Sequence, residues 1–167
     1  MQFFNSLVIE LIGRHRNRIK ICCVFFIAIF SSLTASSASA DIAIIAQKEN
    51  PFEYLTQKQA RRIFVGRIKE YPDGERVQVV HQKDSQRIKT EFIWLLTGLR
   101  LSKYHSKWAA LLFAGHVVAH NVVNDDEDVI EWVKKSRYAI GYVNLKSVTK
   151  DVKVLYIVKS GPISPDD

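Results

Sequence analysis

The sequence predicts an α/β domain, and three observations carry that expectation. Short, β-branched, apolar runs recur along it: "DIAIIAQ", "RVQVVH", "AIGYV" and "VKVLYIV". Between them lie segments with apolar residues at helical period, opened by capping residues and closed by glycines. No internal repeat, low-complexity stretch or second domain interrupts the alternation. Strands alternating with helices pack as a mostly parallel sheet covered by helices.

Each element has its own warrant. "DIAIIAQ" is short and apolar throughout, as a strand buried on both faces must be. "LTQKQARRIF" has Thr56 and Gln59 at capping-box spacing and Leu55, Ala60, Ile63 and Phe64 at helical period, with Gly66 suited to the C′ position. "YPDG" is a turn, because Pro72 fixes φ and Asp73-Gly74 closes the bend. After "RVQVVH", Ile88, Phe92, Leu95, Leu96 and Leu99 form one helical face ending near Gly98, with Asp84 or Ser85 the expected N-cap. Ser102 is expected to cap a helix bearing Tyr104, Trp108, Leu111 and Leu112, stopped by Gly115. "NDDEDVIEWVKKSR" is a helix with acids in its first turn and bases in its last, both complementing the dipole. Phe64, Phe92, Trp94, Trp108, Phe113 and Trp132 sit mostly at core-like positions.

The first forty residues stand apart. Arg14, Arg16, Arg18 and Lys20 precede the apolar "ICCVFFIAIFSSLTA", and Ala38 and Ala40 supply small residues just before Asp41. This is the pattern of a cleaved secretory signal, giving an exported chain with a mature start at Asp41; an uncleaved membrane anchor is the rival reading. The expected division is a signal over 1–40, one domain over 41–158 and a loose tail over 159–167. Both cysteines, Cys22 and Cys23, leave with the signal, which removes disulfide and thiolate chemistry from the mature chain. The whole chain carries +7. Four of its cations lie in the leader, so the remainder is mildly basic: compatible with an anionic ligand, and together with secretion an argument against nucleic acid.

The stretch "HQKDSQRIKTEF" breaks a local rule. A helix start disfavours cations, yet Lys83, Arg87 and Lys89 gather there. In an open α/β sheet, ligands sit where strand C-termini meet helix N-termini. First-turn amides, the Ser85 hydroxyl, the Gln86 amide and the cations Lys83, Arg87 and Lys89 could together hold a tetrahedral oxyanion. The competing reading is an ordinary capped helix with solvated basic side chains, in which case replacing Arg87 and Lys89 by Glu should leave stability unchanged or raise it. Other chemistry finds less support. His116 and His120 are four apart but have no accompanying Glu, and no thiol remains, so no metal site is expected. No serine lies in a G-x-S-x-G context, and "DDED" lacks the spacing and glycine of a calcium loop. Neither catalysis nor a cofactor is indicated.

Taken in order, "LTQKQARRIFVGRIKEYPDG", Phe92, "KWAALLFAG" and "YAIGYV" resemble the periplasmic phosphate-binding proteins of ABC transporters, and more closely their short single-lobe relatives. The likeness runs from about residue 42 to 148. It implies a single three-layer lobe of the type 2 periplasmic-binding-protein fold, a solute-binding protein for phosphate or a similar oxyanion, and no enzymatic activity. It also implies an anion loop before the second helix. There the family's serine falls on Ser85 or Gln86, and its following arginine on Lys89, with Arg87 beside it. The family's upstream arginine falls on His81 or Gln82, neither a guanidinium, and the glycines of full-length members are absent. The chain is too short for the opposing lobe that clamps phosphate. A one-sided site leaves the anion partly in water unless two chains face each other as a homodimer or another protein closes it. The implied partner is a membrane transporter or sensor complex. The alternative function is a non-catalytic interaction or sensory module that kept the fold, lost the ligand and docks a membrane complex.

Overall fold

Strand β1 (Ile42–Gln47) takes the centre of the core because both of its faces are apolar: Ile42, Ile44 and Ala46 point one way and Ala43 and Ile45 the other, all at 1% exposure or less. The computed structural model describes residues 40–117 and 119–161. The expected signal segment therefore lies outside the described residues except for Ala40, as do residues 162–167 of the expected tail. The tail's first residues are tied down, with Lys159 Nζ and the Ser160 amide donating to the Asp41 carboxylate at 2.8 and 2.9 Å.

The other strands are β2 (Gln78–Gln82), β3 (Asn121–Val123), β4 (Ala139–Asn144) and β5 (Val152–Val158). They form one five-stranded sheet in the order β3-β2-β4-β1-β5. β2 is parallel to β3 and β4, whereas β1 is antiparallel to both β4 and β5. Four strands thus run in one direction and β1 alone in the other, the mostly parallel sheet that the alternation of elements predicts.

Helices α1 (Gln57–Phe64), α2 (Arg87–Thr97) and α3 (Leu101–Phe113) lie on one face, where Phe64, Phe92, Ile93 and Tyr104 pack with Ile42 and Ile44. Helix α4 (Asp126–Lys135) covers the other, setting Val129 and Val133 against Ala43, Ile45 and Val80. Three layers result. Each fully buried Ile or Phe contributes about 1.5–3 kcal/mol relative to exposure. At Gly141 of β4 an added Cβ would stand 2.5 Å from Val129 Cγ1, so glycine is what lets α4 approach the sheet this closely.

Several expected local features are present. The Thr56 hydroxyl accepts from the Gln59 amide at 3.3 Å while Gln59 Oε1 accepts from the Thr56 amide at 2.9 Å, a complete capping box. Gly66 ends this region at φ 73, and the YPDG turn closes through Gly74 N–H donating to the Tyr71 carbonyl at 3.0 Å.

Others are corrected. α2 starts at Arg87 with Gln86 as N-cap and no capping side chain, not with Asp84 or Ser85, because Asp84 is turned to an ion pair described below. α3 starts two residues early, with Arg100 as cap and Leu101 as first residue, so Ser102 is inside it. β3 has only three residues, too few for periodicity to reveal. Phe113 is 91% exposed and Trp132 40%, so neither is core. Among the described residues no helix is long and apolar enough to cross a membrane.

Candidate functional site

The C-terminal ends of β2, β3 and β4 bring two helix N-termini to the same edge of the sheet, and the two are finished in opposite ways. α4 is closed by its own acids. Asp125 caps it by accepting from the Asp128 amide at 3.1 Å. Asp126 accepts from Gln82 Nε2 (2.7 Å), the Asn144 amide (3.2 Å), Asn144 Nδ2 (2.8 Å) and Ser147 Oγ (2.7 Å). One carboxylate thus joins the ends of β2 and β4 to the start of α4. The sequence presented Asp126 only as a dipole partner; its role as a latch depends on strand neighbours distant in sequence.

α2 is left open. Its first turn contains no acid and no side chain caps it. The preceding turn is fixed by backbone bonds: Lys83 N–H to the Val123 carbonyl, Gln86 N–H to the Lys83 carbonyl and Lys89 N–H to the Gln86 carbonyl, each 3.0 Å. Gln86 Nε2 donates to the Asn124 carbonyl at 2.8 Å, tying this turn to the β3–α4 loop. Lys83, Ser85 and Arg87 are exposed. The loop therefore does gather Lys83, Ser85, Gln86 and Arg87 at one open helix start.

Lys89 behaves differently from the other four. Its side chain is 6% exposed and donates to Asp84 Oδ1 at 2.5 Å, with His105 Nε2 3.5 Å from the same oxygen. The Lys89 hydrogen bond, with its charge and that of His105, holds the Asp84 carboxyl below its ordinary range. A buried, compensated Lys89 is a structural cation before it is a ligand. The Asp84–Lys89 separation of five residues matches no helical neighbour spacing, so the sequence carried little signal for it.

Directly before this loop, His81 and Gln82 are buried. His81 Nε2 lies 3.0 Å from Tyr104 Oη and Nδ1 lies 3.3 Å from Tyr142 Oη. Tyr104 donates its hydroxyl proton to the Phe64 carbonyl at 2.8 Å. It must then accept from His81, which fixes the proton on Nε2 and leaves Nδ1 to accept from Tyr142. The Gln82 amide completes the chain by donating to Tyr142 Oη at 3.4 Å. Burial, reinforced by His120, Lys89 and His105, pushes the His81 pKa far down. Burial with the same two cationic neighbours brings His120 to about 3. Both rings are neutral at physiological pH. His120 also packs on Trp108 with ring centres 3.6 Å apart, and no group of metal-ligating residues forms among the described residues.

Two concavities of about 220 and 770 Å³ open beside α3, and residues 83–89 line neither. The α2 start lies outside both, with Lys83, Ser85 and Arg87 exposed on the surface. It can hold an ion through amides and cations from one side only, with solvent on the other.

No protein-family model matches the sequence, and no curated protein matches it. Solved structures do. An ABC-type phosphate transport receptor from Vibrio cholerae matches with TM-score 0.54 at 23% identity, over 74% of this chain and 52% of the receptor. A Clostridium perfringens protein solved with bound phosphate matches with TM-score 0.56 at 20% identity, over 70% of this chain and 45% of that one. PstS of Borrelia burgdorferi matches with TM-score 0.52 at 19% identity, over 70% of this chain and 47% of its own. The chain spans about half the length of each. At these identities the likeness shows the fold: this chain has the α/β architecture of the lobe found in phosphate-transport substrate-binding proteins.

Proposed function

We propose that the protein is a non-enzymatic, exported solute-binding lobe that takes phosphate or a similar oxyanion at the start of α2. The observation that carries this reading is the contrast at one sheet edge. The α4 N-terminus is neutralised by Asp125 and Asp126, while the α2 N-terminus has neither acid nor capping side chain and is flanked by Lys83 and Arg87. Helix starts of this kind bind oxyanions through free amides and the dipole. Ser85 adds a hydroxyl donor, Gln86 braces the loop against Asn124 and Lys89, paired with Asp84, fixes the turn from behind. The shared fold with phosphate receptors supports the ligand class. In this reading residues 1–40 are a cleaved signal, the mature chain begins at Asp41 in the periplasm, and the partner is a membrane transporter or sensor complex. A facing second copy would close the one-sided site.

A second reading, a docking module without a ligand, is favoured by one observation: Asp84 already places a carboxylate against Lys89, an internal anion in the loop. Calorimetric titration with phosphate separates the two. The first reading expects saturable, salt-sensitive binding that Arg87→Glu abolishes and Ser85→Ala weakens by about 1–2 kcal/mol. Absence of heat up to millimolar phosphate would leave the docking module.

A further inference from the structure

We propose that the groove between α1 and α3 is a docking site for an acidic, partly apolar segment of a partner protein. α1 turns Lys58, Arg61 and Arg62 toward it at i, i+3, i+4 spacing, and α3 answers with Tyr104, Lys107, Trp108 and Leu111 at i, i+3, i+4, i+7. With Arg67 at the exit of α1, these faces enclose about 770 Å³. All five cations are exposed, and among the described residues no acid lines the groove. Such a cluster focuses a positive field and repels itself until an anion arrives.

The floor is apolar and closely packed. Leu99, Leu111 and the half-buried Trp108 form it, and Tyr104 is anchored from beneath by its 2.8 Å bond to the Phe64 carbonyl. Gly66 locks the two helices together: an added Cβ would stand 3.1 Å from Leu111 Cδ1 and 3.2 Å from Trp108 Cζ3. The site is therefore built before any partner binds.

Shape and charge select the occupant. Two turns of each helix line the groove, a length of about 10 Å at the ordinary rise per residue. An extended segment of three or four residues covers that distance at about 3.3 Å each. Its carboxylates would meet the cationic walls and its apolar side chains the floor. A bilayer surface is planar and cannot fill a cleft between two helices, so a protein segment fits better than an anionic membrane. The groove is separate from the α2 start and shares no residue with it, so this inference stands whether or not phosphate binds there.

The test uses the full chain and a labelled peptide of alternating Glu and Leu, followed by fluorescence anisotropy. Saturable binding that weakens at least tenfold in Arg61→Glu/Lys107→Glu and in Ala110→Glu, with melting temperatures unchanged, is the expected result. A peptide with Ala for Leu should bind several-fold more weakly, and one with Lys for Glu should not bind. Undiminished binding to the charge-reversed protein would overturn the proposal. So would saturable binding to phosphatidylglycerol vesicles without peptide binding, which would assign the groove to a lipid surface. Arg87→Glu should keep full peptide affinity; its loss would place the binding at α2 and end the groove assignment.

Discussion

Lys89 and His81 show how burial changes what a polar residue does. In sequence, Lys89 is one of three cations near a helix start, and Arg87 and Lys89 look interchangeable there. In the fold they are not. The buried face of α2 contains Ile88, Lys89, Phe92, Ile93 and Leu96, so Lys89 stands inside that stripe, satisfied by Asp84. The expectation that replacing both cations by Glu leaves stability intact therefore fails for Lys89. Lys89→Glu would put a buried carboxylate beside Asp84 and should cost about 3 kcal/mol, whereas Arg87→Glu, exposed at the first turn, should change stability by less than about 1 kcal/mol. Urea denaturation of the two single variants checks this. His81 leads to a second prediction. Its pKa is depressed on folding, so the unfolded chain binds the extra proton as pH drops. Stability should be full above about pH 6.5 and fall below it by up to about 1.4 kcal/mol per pH unit from His81, with a smaller, solvent-screened share from His120. Denaturation midpoints measured from pH 7.5 to 5 should show this slope, and His81→Gln should flatten it; a wild-type profile already flat would refute the buried neutral ring.

The elements were legible where their signals are local. The Thr56 capping box, the acid-to-base gradient of α4 and the apolar run of β1 each depend on residues within one turn or strand, and each formed as the sequence indicates. The start of α3, which no side chain of its cap residue closes, lies two residues before the serine that signals it, and the start of α2 is displaced because partners outside the helix take its expected caps. Asp84 serves Lys89 and His105 rather than the helix amides, and Gln86 reaches across to Asn124. β3 was hidden because three residues give no period, and it exists through parallel pairing with Val80, His81 and Gln82. Gly66 belongs to both classes: its positive φ was legible as a helix stop, its contact with Trp108, Leu111 and Val117 was not. Gly66→Val combines αL strain with overlap against three side chains. It should destabilise by about 2–4 kcal/mol, more than the backbone term of about 1 kcal/mol alone. A melting temperature unchanged in that variant would contradict the packed α1–α3 corner.

Across the whole molecule, one sheet with helices on both faces gives a lobe in which β2, β3 and β4 run the same way and end at the candidate site. The order of motifs was enough to indicate that lobe, because a fold is specified by many weak, mutually consistent signals. The surroundings of the candidate site depend on a few side chains whose rotamers and partners no periodicity encodes, so Lys83, Ser85, Gln86, Arg87 and Lys89 share one stretch of sequence while Lys89 alone is buried against Asp84. In the proposed function the α2 start, open where α4 is closed, takes an oxyanion. Amide chemical shifts recorded during a phosphate titration test it most directly. Oxyanion binding there should give saturable shifts concentrated at Ser85, Arg87 and Ile88, with the Asp125–Asp128 amides of α4 unmoved and the effect weakened by salt. Shifts confined to the α1–α3 cations, or none at millimolar phosphate, would contradict it.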